Sequence, residues 1–175
     1  GYEVSESQVA LGTHVMGEGV LNRHALEDTV SIAAELEADV YSMIGVLEHI
    51  QQPRDFLKAM IGNTAVRYFY MSVPLFSPCV FLEMAFPEVM HRQLSAGHTH
   101  LYTESSLAHM AEEFGLEQKA AWWFGTDMVD LFRSVIVQMD KQPDVAGMTD
   151  AWGSLMQPAI DDMQAALDRR HMSSE

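Results

Sequence analysis

The chain has 175 residues, of which 48% are hydrophobic, so it is long enough to build one domain around a buried core. Its 10 basic and 25 acidic residues give a net charge of −15, which repels phosphate backbones and anionic lipid heads and argues against nucleic acid or a membrane as the partner. With Cys79 as the single cysteine, an internal disulfide is excluded and a cytoplasmic setting is the default expectation.

Short apolar runs alternate with amphipathic stretches along the chain, a pattern typical of a parallel sheet covered by helices. In the first 37 residues the pattern predicts a strand at Tyr2–Val4 and a helix at Ser7–Met16. A weak strand at Val20–Ala25 and a short helix at Val30–Glu37 are expected to follow. Gly17 and Gly19 are expected to end the first helix.

Two stronger strands follow, with a helix between them. Ala38–Gly45 contains a nearly unbroken apolar run, and Ala65–Val73 is rich in β-branched and aromatic residues. Pro53 stands at the favoured first-turn position of the intervening helix, which Gly62-Asn63 is expected to end.

The second half of the chain alternates in the same way. Thr103 and Ser106 have the spacing of an N-terminal capping pair, and Gly115 is a candidate for the C-terminal end of the same helix. We predict a helix at Val80–Met90, a His-rich loop at Arg92–Thr103 and a helix at Thr103–Phe114. A strand at Leu116–Phe124 and a helix at Thr126–Met139 are expected next. A linker at Lys141–Gly147 then leads to a long helix at Thr149–His171.

Polar side chains follow the first three predicted strands, where open parallel sheets bind ligands beyond their carboxyl ends. Glu3 comes directly after Tyr2 in the first strand, Leu26-Glu27-Asp28 follow the second, and Glu48-His49 follow the third. An acid in the position of Glu3 can accept the ribose hydroxyl protons of a nucleoside, and Glu27 or Asp28 can accept a hydrogen bond from an adenine amino group. Each acid alone is more readily explained as a solvated side chain, but their order argues against coincidence.

The most specific motif of the chain is Val46-Leu47-Glu48-His49 followed by Pro53. The segment 38–53 that contains it resembles the fourth-strand motif of class I SAM-dependent methyltransferases, especially the branch with a V-L-E-H sequence before a proline. Four other segments resemble the family more weakly. Gly1–Ser7 resembles its second strand, and Leu26–Asp28 resembles its acidic stretch beside the adenine. Tyr70–Pro74 resembles its fifth strand, and Gly97–Thr103 resembles the segment before its sixth strand. The resemblance covers about the first two thirds of the chain.

This resemblance implies an α/β fold, with a Rossmann-like parallel sheet, flanking helices and additional C-terminal helices. It implies methyl transfer from S-adenosyl-L-methionine (SAM) to a small-molecule acceptor, in a partial methyltransferase domain at residues 1–140. Residues 141–175 are expected to form a linker and a C-terminal helix that pack on the same domain, and a homodimer is compatible with the sequence. The cofactor-binding residues implied are Glu3, Leu26, Glu27, Asp28, Ile44, Gly45, Val46 and Glu48.

The chain departs from the family pattern at both ends. It has no counterpart of the family's first strand and Gly-x-Gly-x-Gly loop, and residues 164–175 resemble the approach to a final strand. Because that loop lets the cofactor approach backbone N–H groups closely, we expect this chain to be a truncated form that binds SAM poorly. A Gly-x-Gly-x-Gly sequence within about 20–30 residues before Gly1 would favour an enzyme over a non-catalytic interaction domain of the same fold.

Three histidines are the candidates for catalysis. His49 would lie where the methyl donor binds, as a general base or a group that orients the acceptor, although a structural role is equally open. His98 and His100 come second, in a segment that the resemblance explains as a pocket or cap loop. Together with His91 they also suggest a metal-dependent hydrolase, but no cysteine supports such a site and we predict no metal.

Overall fold

The structure is a computed structural model that describes residues 1–89, 91–94 and 97–175. The chain divides into two compact units. Unit 1 comprises Gly1–Ser42 and Gln52–Tyr70, and unit 2 comprises Met43–Gln51 and Met71–Glu175. None of the helices in the described ranges has the length and apolar character required to span a membrane.

Unit 1 begins with a pair of short parallel strands, β1 (Tyr2–Glu3) and β2 (Asn22–Arg23), joined by helix α1 (Glu6–Met16). Local signals set the helix ends, since Ser5 caps the first turn by accepting a hydrogen bond from Gln8 N and Gly17 ends the helix with a φ of +96°. These elements confirm the order that the sequence predicts.

The core of unit 1 lies between helices α2 (Thr29–Glu35) and α3 (Pro53–Gly62). Pro53 opens α3 at a position where a missing backbone N–H costs nothing, as predicted. The buried face of α3 consists of Phe56, Leu57 and Met60, each at most 2% exposed. Burial of this apolar stripe, rather than helix propensity, is therefore what holds α3 in place.

Strands β3 (Val40–Ile44) and β4 (Tyr68–Ser72) form a second hydrogen-bonded pair. Tyr68 N donates to Asp39 O near the start of both strands, and Gly45 N donates to Ser72 O beyond their ends. The pairing therefore runs parallel, and the carboxyl ends of β3 and β4 lie at the same edge.

Unit 2 contains four helices in the described residues, α4 (Pro78–Ala85), α5 (Glu104–Glu113), α6 (Asp127–Asp140) and α7 (Thr149–Asp168). The last two agree with the predicted helices, apart from a shorter end to α7, and a 3₁₀ turn at Ala146–Met148 lies between them. Trp152 of α7 stacks on Phe132 of α6 with 6.3 Å between ring centroids, so the two helices pack on each other.

Helix α4 differs from the helix predicted for Val80–Met90. It begins two residues earlier, where Ser77 accepts a hydrogen bond from Cys79 N, and it ends at Ala85. Phe86 leaves the helical region with a ψ of 66° because the following residue, Pro87, disfavours it there. The last predicted position, Met90, lies outside the described residues.

The strand predicted for Leu116–Phe124 is wrong, because this fully described segment has no regular secondary structure. Phe124 exchanges two backbone hydrogen bonds with Glu175, of 3.0 and 2.9 Å, so the pairing involves one residue on each side. Trp122 and Phe124 are 67% and 49% exposed, so these two aromatic side chains are not part of a buried core. A strand needs a hydrogen-bonding partner along its length, and neither of the two strand pairs among the described residues includes residues 116–123.

The structure therefore confirms the predicted combination of helices and parallel strands, but with a smaller sheet than expected. The protein is a mixed α/β protein with short parallel strands, and the strands within the described residues form two separate two-stranded pairs rather than one wide sheet. β1 and β2 have only two residues each, and both residues of β2, Asn22 and Arg23, are polar and exposed.

The N-terminal cap of α5 gives a first prediction. Thr103 Oγ1 accepts a hydrogen bond from Ser106 N at 3.1 Å, and Ser106 Oγ accepts one from Thr103 N at 2.9 Å. Thr103→Ala is expected to lower the free energy of unfolding by about 1 kcal/mol in urea titrations, because the N–H of Ser106 in the first turn of α5 loses its acceptor. The matched control is Thr126→Ala, since Thr126 precedes α6 without a side-chain cap bond. Equal losses for both variants would contradict the capping role.

Candidate functional site

The V-L-E-H motif forms a tight turn at the carboxyl end of β3. Gly45 has a φ of +62°, a left-handed conformation that a side chain would strain, and its N–H remains bonded to Ser72 O at 3.0 Å. A 3₁₀ turn at Leu47–His49 follows. Leu47 and Glu48 are buried, at 0% and 3% exposure, whereas the side chain of His49 is 40% exposed. The turn is thus anchored by Leu47 and presents one buried acid and one accessible imidazole.

The loop that carries His98 is docked on this turn. The Glu48 carbonyl accepts hydrogen bonds from Thr99 N and Thr99 Oγ1, both at 2.8 Å, and from His100 N at 3.2 Å. His49 Nδ1 lies 3.1 Å from the carbonyl oxygen of Gly97. These four bonds join two segments about fifty positions apart in the chain and bring His98 beside the motif.

Glu48, His49 and His98 consequently form one cluster. The rings of His49 and His98 meet edge to face with 4.9 Å between centroids, and His49 Nε2 lies 4.0 Å from Glu48 Oε1. Each residue offers one oxygen or nitrogen that could bind a metal, and these three atoms lie within 4.8 Å of one another. The other carboxylate oxygen, Glu48 Oε2, is buried without a hydrogen-bond partner among the described residues.

Tyr102 lies at the same cluster. Burial, and to a smaller extent the Glu48 carboxylate, raise the pKa of Tyr102 to about 12, so the phenol keeps its proton at neutral pH. Its hydroxyl is buried and makes no hydrogen bond within the part of the chain that the structure describes. The phenol oxygen of Tyr102 and Glu48 Oε2 are thus two buried polar atoms that lack, among the described residues, the partner that such groups normally have.

A cleft of about 310 Å³ opens at this position. It lies beyond the ends of β3 and β4, the place where parallel sheets bind ligands, and its volume is near the lower bound of small-molecule sites. The lining includes apolar, small and ionisable side chains, among them Ile44, Gly45, Glu48, Val73, Pro74 and His98. By contrast, the space beside the buried Cys79 is only about 10 Å³, too small for a ligand.

The structure keeps His100 out of the His49–His98 pair. Its Nδ1 is bonded to Thr99 Oγ1 at 2.9 Å, and its ring stacks on Tyr102 at 6.2 Å. His91 acts on the Glu83 carboxylate, whose pKa it helps to lower. Among the described residues, the group that could bind a metal is Glu48, His49 and His98. It therefore shares only His98 with the three histidines that the sequence suggests, His91, His98 and His100.

The predicted cofactor residues of unit 1 are arranged by the β1–β2 pair. The register aligns Glu3 with Arg23, so the two strands end at the same edge, and the exposed 3₁₀ turn Leu26–Asp28 follows β2. Glu3 Oε1 accepts a hydrogen bond from Ser5 N at 2.8 Å, which holds the carboxylate at the end of β1. Whether these acids share one rim with Glu48-His49 stays a prediction.

Sequence reasoning missed three residues of the cleft region. Arg92 and Gln93 line the cleft, and Tyr102 places a phenol at the cluster, although none of them was assigned a role. The available signal was their position in the His-rich loop, next to His98 and His100. Chain distance from the V-L-E-H motif concealed their proximity to Glu48.

Comparison with known proteins agrees with the motif. A family model described as "Methyltransferase domain" matches residues 1–121, which is 121 of the 175 residues. No curated protein and no solved structure shows significant similarity to the chain. The family match contains the V-L-E-H turn, the cleft-forming strand ends and the His98 loop. This confirms the resemblance seen in the sequence, and the chain belongs to the methyltransferase domain family.

Proposed function

We propose that the protein transfers a methyl group from SAM to a small-molecule acceptor. The observation that carries this proposal is the 310 Å³ cleft at the carboxyl ends of β3 and β4, beside the V-L-E-H turn of a methyltransferase family member. The charge of −15 disfavours a nucleic acid in the acceptor role. A cleft of this size favours a small acceptor over a folded protein surface.

The side chains proposed for the cofactor have the chemistry that it requires. Glu3 uses one carboxylate oxygen for Ser5 N and keeps the other for the hydroxyl protons of a ribose. Glu27 and Asp28 are exposed acceptors suited to an adenine amino group, and Ile44-Gly45-Val46 offers apolar and small groups beside the cleft. When bound, SAM supplies a methyl group on a positively charged sulfur.

The protein's own contribution to such a reaction is alignment, exclusion of water and control of one proton. A carbonyl oxygen can only accept, so the contact of His49 Nδ1 with Gly97 O requires a proton on Nδ1. In the neutral ring Nε2 is then the basic nitrogen, and it lies 4.0 Å from Glu48 Oε1. We assign the acceptor's proton to His49 Nε2, whereas the buried phenol of Tyr102 can only donate at neutral pH.

The test is a calorimetric titration with S-adenosylhomocysteine, using protein expressed from the complete open reading frame and an added chelator. We expect one binding site, and a loss of affinity of roughly tenfold to a hundredfold in Glu3→Ala, because a carboxylate hydrogen bond to ribose is worth about 1.5–3 kcal/mol. Glu6→Ala is the matched control, since Glu6 is an exposed acid three residues away that pairs with Arg23.

Transfer is tested with SAM that carries a labelled methyl group, by following the label into low-molecular-weight products. Absence of S-adenosylhomocysteine binding would contradict the proposal and would favour a non-catalytic domain of the same fold. Binding that falls equally in Glu3→Ala and Glu6→Ala would contradict the ribose role of Glu3. Label that accumulates in protein or nucleic acid would contradict the small-molecule acceptor.

A further inference from the structure

We propose that Glu48, His49 and His98 form a binding site for one divalent transition-metal ion, with Zn²⁺ as the best match to the donors. The site goes beyond methyl transfer from SAM and does not depend on it, because all three ligands belong to unit 2 and none requires a bound nucleoside. A bound ion would occupy the lone pair of His49 Nε2, so His49 accepts the acceptor's proton only in the metal-free protein. It also replaces the His91, His98 and His100 set considered from the sequence. Three independent observations support it.

The first observation is proximity. One potential ligand atom from each of the three side chains lies within 4.8 Å of the others. Ligand atoms around one tetrahedral zinc ion, at bond lengths of 2.0–2.2 Å, are about 3.4 Å apart. Small rotations of the half-exposed His49 ring and of the His98 ring would close this difference, while the backbone between them is held by the Glu48 carbonyl.

The second observation is the tautomer of both imidazoles. His49 Nδ1 lies 3.1 Å from Gly97 O, and His98 Nδ1 lies 3.1 Å from Gln93 O. Since carbonyl oxygens only accept hydrogen bonds, both rings carry their proton on Nδ1 and have their lone pair on Nε2. Histidines that bind metals are oriented in this way, with the second nitrogen donating to a backbone carbonyl.

The third observation is the state of Glu48. The residue is 3% exposed, and its Oε2 is buried without a hydrogen-bond partner within the described ranges. Burial of a carboxylate is unfavourable unless a positive charge or several hydrogen bonds compensate it. The 4.0 Å contact between Glu48 Oε1 and His49 Nε2 is too long for a hydrogen bond, and it is an ion pair only if the imidazole is protonated. A bound cation would compensate the buried Glu48 carboxylate.

The donor set selects among cations. Two imidazole nitrogens and one carboxylate oxygen match zinc sites that keep one coordination position open, whereas Ca²⁺ and Mg²⁺ prefer oxygen ligands throughout. Glu48 and His98 also line the 310 Å³ cleft, so an open position on the ion would be accessible from that cleft.

The experiment is a zinc titration of the 175-residue chain, freed of metal with a chelator and followed by competition with a chromophoric zinc indicator. We expect one ion per chain, and about a hundredfold weaker binding in His49→Ala and in His98→Ala, since each removes a direct ligand. His100→Ala and His109→Ala are the controls. His100 is bonded to Thr99 and stacked on Tyr102, and His109 lies 70% exposed on α5.

Glu48→Gln keeps the shape of the side chain and removes its charge. In metal-free protein this variant should unfold at the same temperature as the original chain or a higher one, because a buried charge without compensation is lost. Zinc at 100 times its dissociation constant should raise the stability of the original chain by about 2.7 kcal/mol and leave that of Glu48→Gln nearly unchanged.

Three results would overturn the metal site. These are the absence of a one-to-one complex, binding that survives both His49→Ala and His98→Ala, and a loss in His100→Ala as large as that in His98→Ala. None of them affects the S-adenosylhomocysteine titration, which is performed with chelator present. Failure of the metal site and failure of the methyltransferase proposal are therefore distinguishable.

Discussion

Phe56→Ala is expected to lower the free energy of unfolding by about 3–5 kcal/mol, the usual cost of truncating a fully buried phenylalanine. Phe56 lies on α3, which packs on α2, and is 0% exposed. Its ring makes an edge contact with the Tyr41 ring, with 5.6 Å between the centroids. Truncation removes the transfer free energy of the ring and leaves a cavity that the rigid contact between two helices cannot close.

Urea unfolding followed by far-ultraviolet circular dichroism measures this loss. Lys58→Ala is the matched control, because Lys58 lies on the same helix with its side chain 67% exposed and alanine is a good helix former. We expect the control to change stability by less than about 0.5 kcal/mol. A loss below about 1 kcal/mol for Phe56→Ala would contradict the packing of α3 on α2.

Glu83→Gln is expected to lower the free energy of unfolding by about 3 kcal/mol at neutral pH, since buried donors lose a charged acceptor. Glu83 is 6% exposed, and its carboxylate accepts hydrogen bonds from three successive backbone N–H groups, those of Arg92, Gln93 and Leu94, at 2.9, 2.6 and 2.9 Å. A glutamine has a single acceptor oxygen and would place an NH₂ group against at least one of these donors.

The effect of this substitution depends on pH in a defined direction. Burial opposes ionisation of Glu83, but the three backbone N–H groups and the nearby His91 outweigh it and hold the pKa of Glu83 below its usual 4.5. Its contribution is therefore complete above pH 4.5 and is lost as the pH falls from 4.5 through the folded-state pKa.

Unfolding titrations of the original chain and of Glu83→Gln at several pH values test this directly. The difference between the two should shrink as the pH falls below about 4.5. Glu112→Gln, an exposed acid on α5, controls for the general effect of removing one negative charge. A difference between the chains that grows as the pH falls would show that the sign is wrong.

The same substitution connects stability to the cleft. The three N–H groups that Glu83 holds belong to the segment that precedes His98, and Arg92 and Gln93 line the cleft. Gln93 O is in turn the acceptor for His98 Nδ1. Loss of the Glu83 carboxylate should therefore weaken zinc binding as well, although Glu83 is not a ligand.

Local signals in the sequence were sufficient for most helix ends. Ser5 and Gly17 bound α1, Pro53 opens α3, and Thr103 with Ser106 caps α5, all close to the predicted positions. Each of these features acts through hydrogen bonds or steric limits within four residues, so neighbouring residues contain all the required information. The V-L-E-H motif likewise identified the family, which the match to residues 1–121 confirms.

Tertiary structure alone decided which distant segments met. Leu116–Phe124 ends in three aromatic residues, which favour a strand, but a strand forms only where another segment supplies its hydrogen-bonding partners. Among the described residues, Phe124 exchanges such bonds with a single residue, Glu175. The site shows the same limit. The sequence by itself named His49, His98 and His100 as candidates, but only the docking of Thr99 on the Glu48 carbonyl joined His98 to Glu48 and His49 and turned His100 toward Tyr102. Contacts between segments fifty residues apart depend on packing of the whole unit, which the local pattern of residues does not specify.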